Sequence, residues 1–175
     1  MKTVWLDVTK WNKDLVTTAI ETGIDAVMVS EKNVEKVKEL GLMPVVAASK
    51  NADFVLNERV KQIEIKKKDD EEYIASLDNH SIAIVTSNDW TIIPLENLIA
   101  QEKKIIYPVK NLEEAKTALT ILEIGVWGVL IQSDDIEEIK EILNFAKNIG
   151  SSFEVKEFTV KEVQKVSMGD RVCID

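Results

Sequence analysis

Lysines and carboxylates at or near the ends of predicted strands are the residues of this sequence best suited to chemistry. Five of them are candidates for acid–base catalysis, namely Asp7, Lys50, Asp89, Glu96 and Lys110. Carboxylate and amino groups can exchange protons with a reacting atom, and a lysine can also form a Schiff base with a carbonyl substrate. We therefore expect proton transfer on a small polar molecule that binds where the strands end.

One stretch of the sequence combines a strand end, a tryptophan and a helix start. It is TSNDWTIIPLENLIA, Thr86–Ala100, in which Pro94 suits the first turn of a helix. A tryptophan on such a loop needs something to pack against. Amide side chains near a helix N-terminus supply donors and acceptors where anionic groups are favourably held. We predict that Asn88, Trp90 and Asn97 bind substrate.

Several familiar catalytic signatures are absent from the sequence. It contains no GxGxxG, P-loop, HExxH or GxSxG motif. The only histidine, His80, lies in a predicted turn before a strand, which is the wrong end of the sheet for catalysis. The only cysteine, Cys173, excludes an internal disulfide and a CxxC metal site. No metal is expected, and no residue is assigned to a cofactor from spacing alone.

Composition restricts the class of partner. The net charge is −9 and the isoelectric point about 4.8, which argues against binding to nucleic acid or to an anionic membrane. No apolar run approaches the ~20 residues that a membrane span needs. We expect a cytoplasmic protein with a small-molecule substrate, and the sequence is compatible with a homo-oligomer.

The elements that must position these residues alternate between strands and helices, which is typical of a parallel α/β fold. The predicted strands are Thr3–Val8, Ala26–Ser30, Pro44–Ala48, Phe54–Leu56, Gln62–Ile65, Ile82–Thr86, Ile105–Val109 and Val129–Gln132. Eight strands predict a reduced (β/α)8, TIM-barrel-like domain that lacks helices around strands three to five. An open, doubly wound parallel sheet is the alternative. Both folds place a site at the carboxyl ends of the strands.

Helical periodicity and turn residues define the domain limits. The strongest helix is predicted over Leu112–Ile124, and Asn33 and Asp135 are predicted as helix caps. Gly150, followed by two serines, marks the end of the periodic pattern. We therefore predict a barrel-like domain over 1–150 and an extended segment over 151–175.

Four stretches in this order resemble one known family. They are TTAIETGIDAV, NDWTIIPLENLIA, AKTALTILEIGVWGVLI and VSMGDRVCID, which together cover essentially the whole chain. The sequence is similar to the type II 3-dehydroquinate synthases, the archaeal-type enzymes of the alternative early shikimate route in aromatic amino-acid biosynthesis. The most specific stretches are the one around Trp90 and the one around Arg171.

The resemblance implies an NAD-dependent enzyme. Members of the family oxidatively deaminate 2-amino-3,7-dideoxy-D-threo-hept-6-ulosonate and cyclise the product to 3-dehydroquinate. Such chemistry needs a hydride acceptor, a base and a polarised carbonyl. The resemblance also implies that 151–175 leads into a second, Gly- and Ser-rich domain. Arg171 is then predicted as an anion contact at the junction.

One departure from the family pattern leaves other functions open. The family usually has Asp in the GVDGV turn, where this chain has Trp127. Loss of that carboxylate indicates either a changed function or a packing position. The first alternative is a non-catalytic binding or regulatory domain that keeps the fold. The second is an unrelated small aldolase or isomerase with Lys110 as a Schiff-base lysine.

Overall fold

A computed structural model describes residues 2–87, 93–149 and 162–163, with the backbone alone for 93–95. The predicted segment 151–175 falls outside these residues except for 162–163, which form neither helix nor strand. The boundary between the two predicted units therefore stays a prediction.

Eight parallel strands form a single sheet in the order β4-β3-β2-β1-β8-β7-β6-β5. They are β1 Thr3–Asp7, β2 Ala26–Met28, β3 Val45–Ala47, β4 Phe54–Val55, β5 Val60–Ile65, β6 Ile82–Ser87, β7 Ile105–Val109 and β8 Gly128–Ile131. The first strand pairs with both the second and the last, so the sheet curls round on itself. The predicted barrel is confirmed. The doubly wound alternative is wrong, because that fold places its first strand beside the third or fourth.

The barrel is almost closed, and its remaining gap lies between β4 and β5. Only an isolated bridge between Leu56 and Val60 joins these two strands. A three-residue turn over 57–59 connects them, in which Asn57 adopts a left-handed φ of 66°. This turn stands where a helix would normally return the chain to the start of the next strand.

Six α-helices occur in the described part of the chain. They are α1 Lys13–Thr22, α2 Val34–Leu40, α3 Lys68–Ser76, α4 Ile93–Ala100, α5 Leu112–Thr120 and α6 Ile136–Asn148. No helix follows β3 or β4, where every connecting residue is described. The predicted loss of helices around strands three to five is therefore confirmed.

Alternation along the strands divides the apolar side chains between two cores. One core lies between the sheet and the helices, and the other fills the barrel interior. On β6, for example, Ile82 and Ile84 point inward while Ala83 and Val85 point toward the helices. Trp5 is the largest interior side chain and is 1% exposed. This packed interior core holds the strands, and therefore their ends, in fixed positions.

Two local predictions need correction. The helix predicted to reach Ile124 ends at Thr120, because Leu122 and Glu123 adopt left-handed φ values of 54° and 63°. Leu122, expected on the buried face, is 48% exposed. Asn33 occupies the N-cap position of α2, but its side chain makes no capping hydrogen bond.

The predicted cap of α6 is confirmed. The Asp135 carboxylate accepts hydrogen bonds from the backbone N–H groups of Glu137 and Glu138, at 2.9 and 3.5 Å. These contacts satisfy donors at the start of the helix that have no partner within it.

Candidate functional site

The carboxyl ends of the parallel strands form one edge of the barrel, which we call the carboxyl rim. Three depressions of about 250, 250 and 270 Å³ open on this rim. Gln132, the residue after β8, lines all three, and Thr86 and Pro108 line two of them. The depressions are therefore neighbouring parts of one hollow over the strand ends.

The Asp7 depression lies above β1 and β8. Its lining consists of Asp7, Thr9, Lys10, Gln132, Ser133 and Asp134. Oδ1 of Asp7 accepts hydrogen bonds from the Thr9 backbone N–H at 3.0 Å and from Thr9 Oγ1 at 2.7 Å. Oδ2 accepts one from Gln132 Nε2 at 3.0 Å. Three donors from two loops thus fix the direction of a carboxylate that still borders the hollow.

The Lys110 depression lies above β6, β7 and β8. Its lining consists of Thr86, Ser87, Tyr107, Pro108, Lys110, Glu114 and Gln132. The Lys110 backbone N–H donates to Glu114 Oε2 at 2.8 Å, and the Asn111 side chain caps α5 by accepting from the Glu114 N–H at 2.9 Å. The lysine backbone is therefore anchored to a helix start, while the residue as a whole is exposed at the rim.

Tyr107 is the titratable group of this depression with a shifted pKa. Burial raises the pKa of the Tyr107 hydroxyl, and the negative charge of Glu114 raises it further. A hydrogen bond with the Ser87 backbone acts in the opposite direction. The phenol therefore stays neutral over the range in which most enzymes operate, and it presents a hydroxyl rather than a phenolate.

The mouth depression is the open end of the barrel interior. Its lining consists of Met28, Gln62, Ile63, Glu64, Ile84, Thr86, Pro108, Leu130 and Gln132. Met28, Ile84 and Leu130 belong to the interior core and give the depression an apolar floor. The polar side chains stand above that floor, at the level where the interior meets solvent.

The structure places some of the predicted catalytic residues together and others apart. Asp7 and Lys110 occupy neighbouring depressions with Gln132 between them. Lys50 is exposed in the loop after β3 and lines none of the three depressions. Glu96 lies in the first turn of α4. Asn97 donates its amide to Glu71 of α3 at 2.9 Å, which turns it toward the neighbouring helix.

The other predicted site residues lie outside the described part of the chain. These are Asn88, Asp89, Trp90 and Arg171, and Cys173 lies there as well. Their roles stay predictions.

Two polar residues on β5 were not among the predicted site residues. Gln62 and Glu64 both line the mouth depression. Val60, two positions earlier, belongs to the interior core. Because successive strand residues alternate between faces, Gln62 and Glu64 share its inward direction. The signal was present as alternation of polar and apolar residues over Gln62–Ile65, but a strand in isolation does not show which face is the interior.

The opposite edge, which we call the amino rim, uses polar groups to hold the backbone. Lys147 of α6 bonds both carboxylate oxygens of Asp25 at 2.7 and 2.9 Å, and Asp25 also accepts from the Val4 N–H at 2.7 Å. Lys2 donates to the backbone carbonyls of Ile124 and Val126, and burial lowers the pKa of its ammonium group. These contacts join the starts of the strands to their neighbours.

Trp127 and His80 also precede strands on this side. Trp127 comes directly before β8 and packs against the interior core. The packing interpretation of this departure from the family pattern is therefore favoured. His80 lies in a turn before β6, and its N–H donates to Asp78 Oδ1 at 2.8 Å, so the predicted turn position is confirmed.

In the part of the chain that the structure describes, no group of three or more His, Cys, Asp or Glu side chains is arranged to hold a metal ion. Within the same residues, no helix combines the length and apolar character needed to cross a bilayer.

Comparison with known families shows what the chain is related to. Residues 1–146 match the family described as the 3-dehydroquinate synthase II N-terminal domain. The chain belongs to this family. The resemblance seen in the sequence is thereby confirmed, and the match covers the barrel with its carboxyl rim.

Curated relatives match over the full length of the chain. The 3-dehydroquinate synthase of Methanoculleus marisnigri is 43% identical over 175 residues, which are 100% of this chain and 52% of the relative. The 3-dehydroquinate synthase of Methanoregula boonei is 45% identical over the same shares. The chain thus spans about half the length of the curated relatives that it matches.

Solved structures show the same architecture at low sequence identity. A monomeric form of the dimeric phosphoribosylanthranilate isomerase of Thermotoga maritima superposes with a TM-score of 0.65 at 12% identity. The match covers 85% of this chain and 100% of the isomerase chain. At this identity the likeness concerns the barrel fold alone.

Proposed function

We propose that this 3-dehydroquinate synthase II domain takes part in NAD-dependent oxidative deamination and cyclisation. The substrate is 2-amino-3,7-dideoxy-D-threo-hept-6-ulosonate and the product is 3-dehydroquinate. The observation that carries the proposal is the continuous hollow on the carboxyl rim, which brings Asp7 and Lys110 to either side of Gln132. Alignment of the whole chain with about half the length of relatives named 3-dehydroquinate synthase supports the choice of reaction.

In this proposal Asp7 is the base and Lys110 acts on the carbonyl. The three hydrogen bonds to Asp7 hold its carboxylate in one orientation, so that it is already positioned to accept a proton from the substrate. The exposed Lys110 ammonium can donate a hydrogen bond to a carbonyl oxygen and stabilise the negative charge that develops in an aldol step. A Schiff base at Lys110 is the covalent version of the same role.

The described residues do not form a recognisable cradle for a dinucleotide. Backbone that approaches a pyrophosphate closely usually contains glycine. In the described part of the chain, Gly23, Gly41 and Gly125 precede strands and Gly128 begins β8, so these four glycines lie toward the amino rim. NAD enters the proposal as the oxidant of the overall reaction, and no residue of this chain is assigned to it.

NADH formation tests the proposal. The aminoheptulosonate and NAD are incubated with the chain alone and with a fusion to the C-terminal half of the Methanoculleus marisnigri relative. We expect an increase in NADH absorbance together with 3-dehydroquinate, and loss of 3-dehydroquinate when Lys110 is changed to Met, because Lys110 acts in the cyclisation that follows hydride transfer. Absence of NADH with both proteins would contradict the proposal. Borohydride trapping of a labelled Lys110 would favour the covalent version.

A further inference from the structure

The mouth depression contains polar side chains that the proposed roles of Asp7 and Lys110 do not use. Gln62, Glu64 and Thr86 stand on β5 and β6 above the apolar floor. In a barrel of this size the inward positions are normally filled by bulky apolar residues. On β5 the inward residue Val60 is followed by Gln62 and Glu64, and on β6 Ile84 is followed by Thr86. Both strands therefore change from apolar to polar inward residues toward their carboxyl ends.

The carboxylate of Glu64 stands at the edge of this depression. Its Oε2 lies 2.7 Å from the Lys66 ammonium, and the hydrogen bond with Glu64 is the main cause that raises the pKa of Lys66. Lys66 follows β5 and is not among the residues that line the depression. A carboxylate accepts several hydrogen bonds at once, so a ligand ammonium can join the donors that already contact Glu64.

Gln62 reaches across the interior from β5 toward β2. Its Nε2 lies 3.8 Å from the Met28 sulfur, which is a weak acceptor. An amide in such a contact gains little from it and can exchange it for a hydroxyl or carbonyl oxygen of a ligand. The floor beneath, formed by Met28, Ile84 and Leu130, suits unsubstituted carbon atoms.

We propose that the mouth depression binds the amino end of the substrate, with Glu64 facing the ammonium group and Gln62 bonding an adjacent oxygen. This inference rests on the proposed function and fixes the direction of the substrate in the hollow. Thr86, Pro108 and Gln132 line both this depression and the Lys110 depression. A substrate held by its amine beside Glu64 therefore extends over Pro108, and its carbonyl end lies toward Lys110.

Binding measurements on the chain test this direction. The probes are the aminoheptulosonate and 3-dehydroquinate, which lacks the amine, and calorimetry gives the two dissociation constants. In Glu64→Gln we expect the affinity for the amine to fall about tenfold or more, because a charge-assisted hydrogen bond is lost. The affinity for 3-dehydroquinate should change by about twofold or less, since that ligand offers no cation.

Glu72→Gln is the matched control, because Glu72 is also an exposed glutamate that faces a lysine, Lys68, at 3.9 Å. It should leave both affinities unchanged. Lys66→Gln removes the ion pair but keeps the Glu64 carboxylate. This variant should bind the aminoheptulosonate at least as tightly as the unmodified chain. Should Glu64→Gln fail to fold, Glu64→Asp keeps the charge and should retain a preference for the amine.

Three outcomes would overturn the inference. An unchanged affinity of Glu64→Gln for the amine would show that Glu64 does not contact it. An equal loss for both ligands would show that Glu64 maintains the depression rather than binding the amine. If the unmodified chain binds neither compound and no NADH forms in the fusion, the proposed function falls and this inference falls with it.

Discussion

Lys147 and Lys110 are both lysines at a barrel rim, yet their surroundings differ. At the amino rim Lys147 is 23% exposed and contacts both oxygens of Asp25, which in turn bonds the backbone of β1. At the carboxyl rim Lys110 is exposed beside a hollow, and only its backbone is anchored. The comparison indicates that Lys147 stabilises the barrel framework, whereas Lys110 borders the hollow in which we propose that the substrate binds.

The largest expected effect is on activity, at the carboxyl rim. Asp7→Asn keeps the acceptor for Thr9 but removes the base, so turnover should fall about 10²- to 10⁴-fold in the NADH assay. The free energy of unfolding should change by about 1 kcal/mol or less, because the hydrogen bonds are exposed. Asp69→Asn, in an exposed carboxylate of α3, is the control and should retain activity. A large loss of stability in Asp7→Asn would contradict the comparison, because it would show that a carboxyl-rim residue also stabilises the barrel.

The next effect is on stability, at the amino rim. Gly125 has a φ of +67°, and a Cβ there would lie 2.0 Å from the Leu119 carbonyl oxygen. Gly125→Ala should therefore cost about 3 kcal/mol or more in the free energy of unfolding, measured by urea denaturation. Gly23→Ala is a matched control, since its φ is +77° but nothing lies within 4 Å of the added Cβ. It should cost about 1 kcal/mol, and equal losses would contradict the steric explanation.

A smaller loss of stability is expected from the ion pair of the amino rim. Asp25→Ala leaves the Val4 N–H and the Lys147 ammonium without this acceptor, so it should destabilise by about 2 kcal/mol in urea. Glu137→Ala breaks an exposed pair with Lys140 on the same helix and should cost about 0.5 kcal/mol or less. Similar values for the two variants would show that the amino-rim pair is no more than a surface contact.

The smallest effect concerns pH. The pKa of Tyr107 is raised in the folded state above its usual value of 10.0, by burial and then by Glu114. The neutral phenol therefore contributes stability that is present below pH 10.0 and is lost as pH rises through the folded pKa. Tyr107→Phe should reduce the loss of stability above that pH, as followed by urea denaturation at a series of alkaline pH values. An identical pH profile for the variant would contradict the assignment.

Much of the fold followed from the alternation of strands and helices. The eight strands, the order of the helices and the missing helices around β3, β4 and β5 were all predictable, because apolar periodicity changes sharply between elements. The end of α5 was not predictable, because Leu122 continues the helical period although the backbone has already left the helix. Local apolar spacing does not reveal a turn that is stabilised by contacts elsewhere.

The candidate site was only partly predictable, and β5 shows why. Asp7 ends β1 and Lys110 directly follows β7, so a rule about strand ends was enough to find both. Gln62 and Glu64 lie within a strand whose apolar residues, Ile63 and Ile65, pack against the core beneath the helices. An isolated alternating strand normally presents its polar face to bulk solvent. In this barrel that face is turned toward the interior, which only the closure of the sheet determines.

The single bridge between Leu56 and Val60 has a consequence for how the barrel opens. The pairing of β1 with β8 joins the first and last strands of the described sheet through four residue pairs, whereas β4 and β5 adjoin in sequence and share one bridge. Local opening of the barrel should therefore begin between β4 and β5 and leave the hydrogen bonds between β1 and β8 intact. Amide hydrogens beside this gap should exchange with deuterium through local opening, while those of β1 and β8 should require global unfolding.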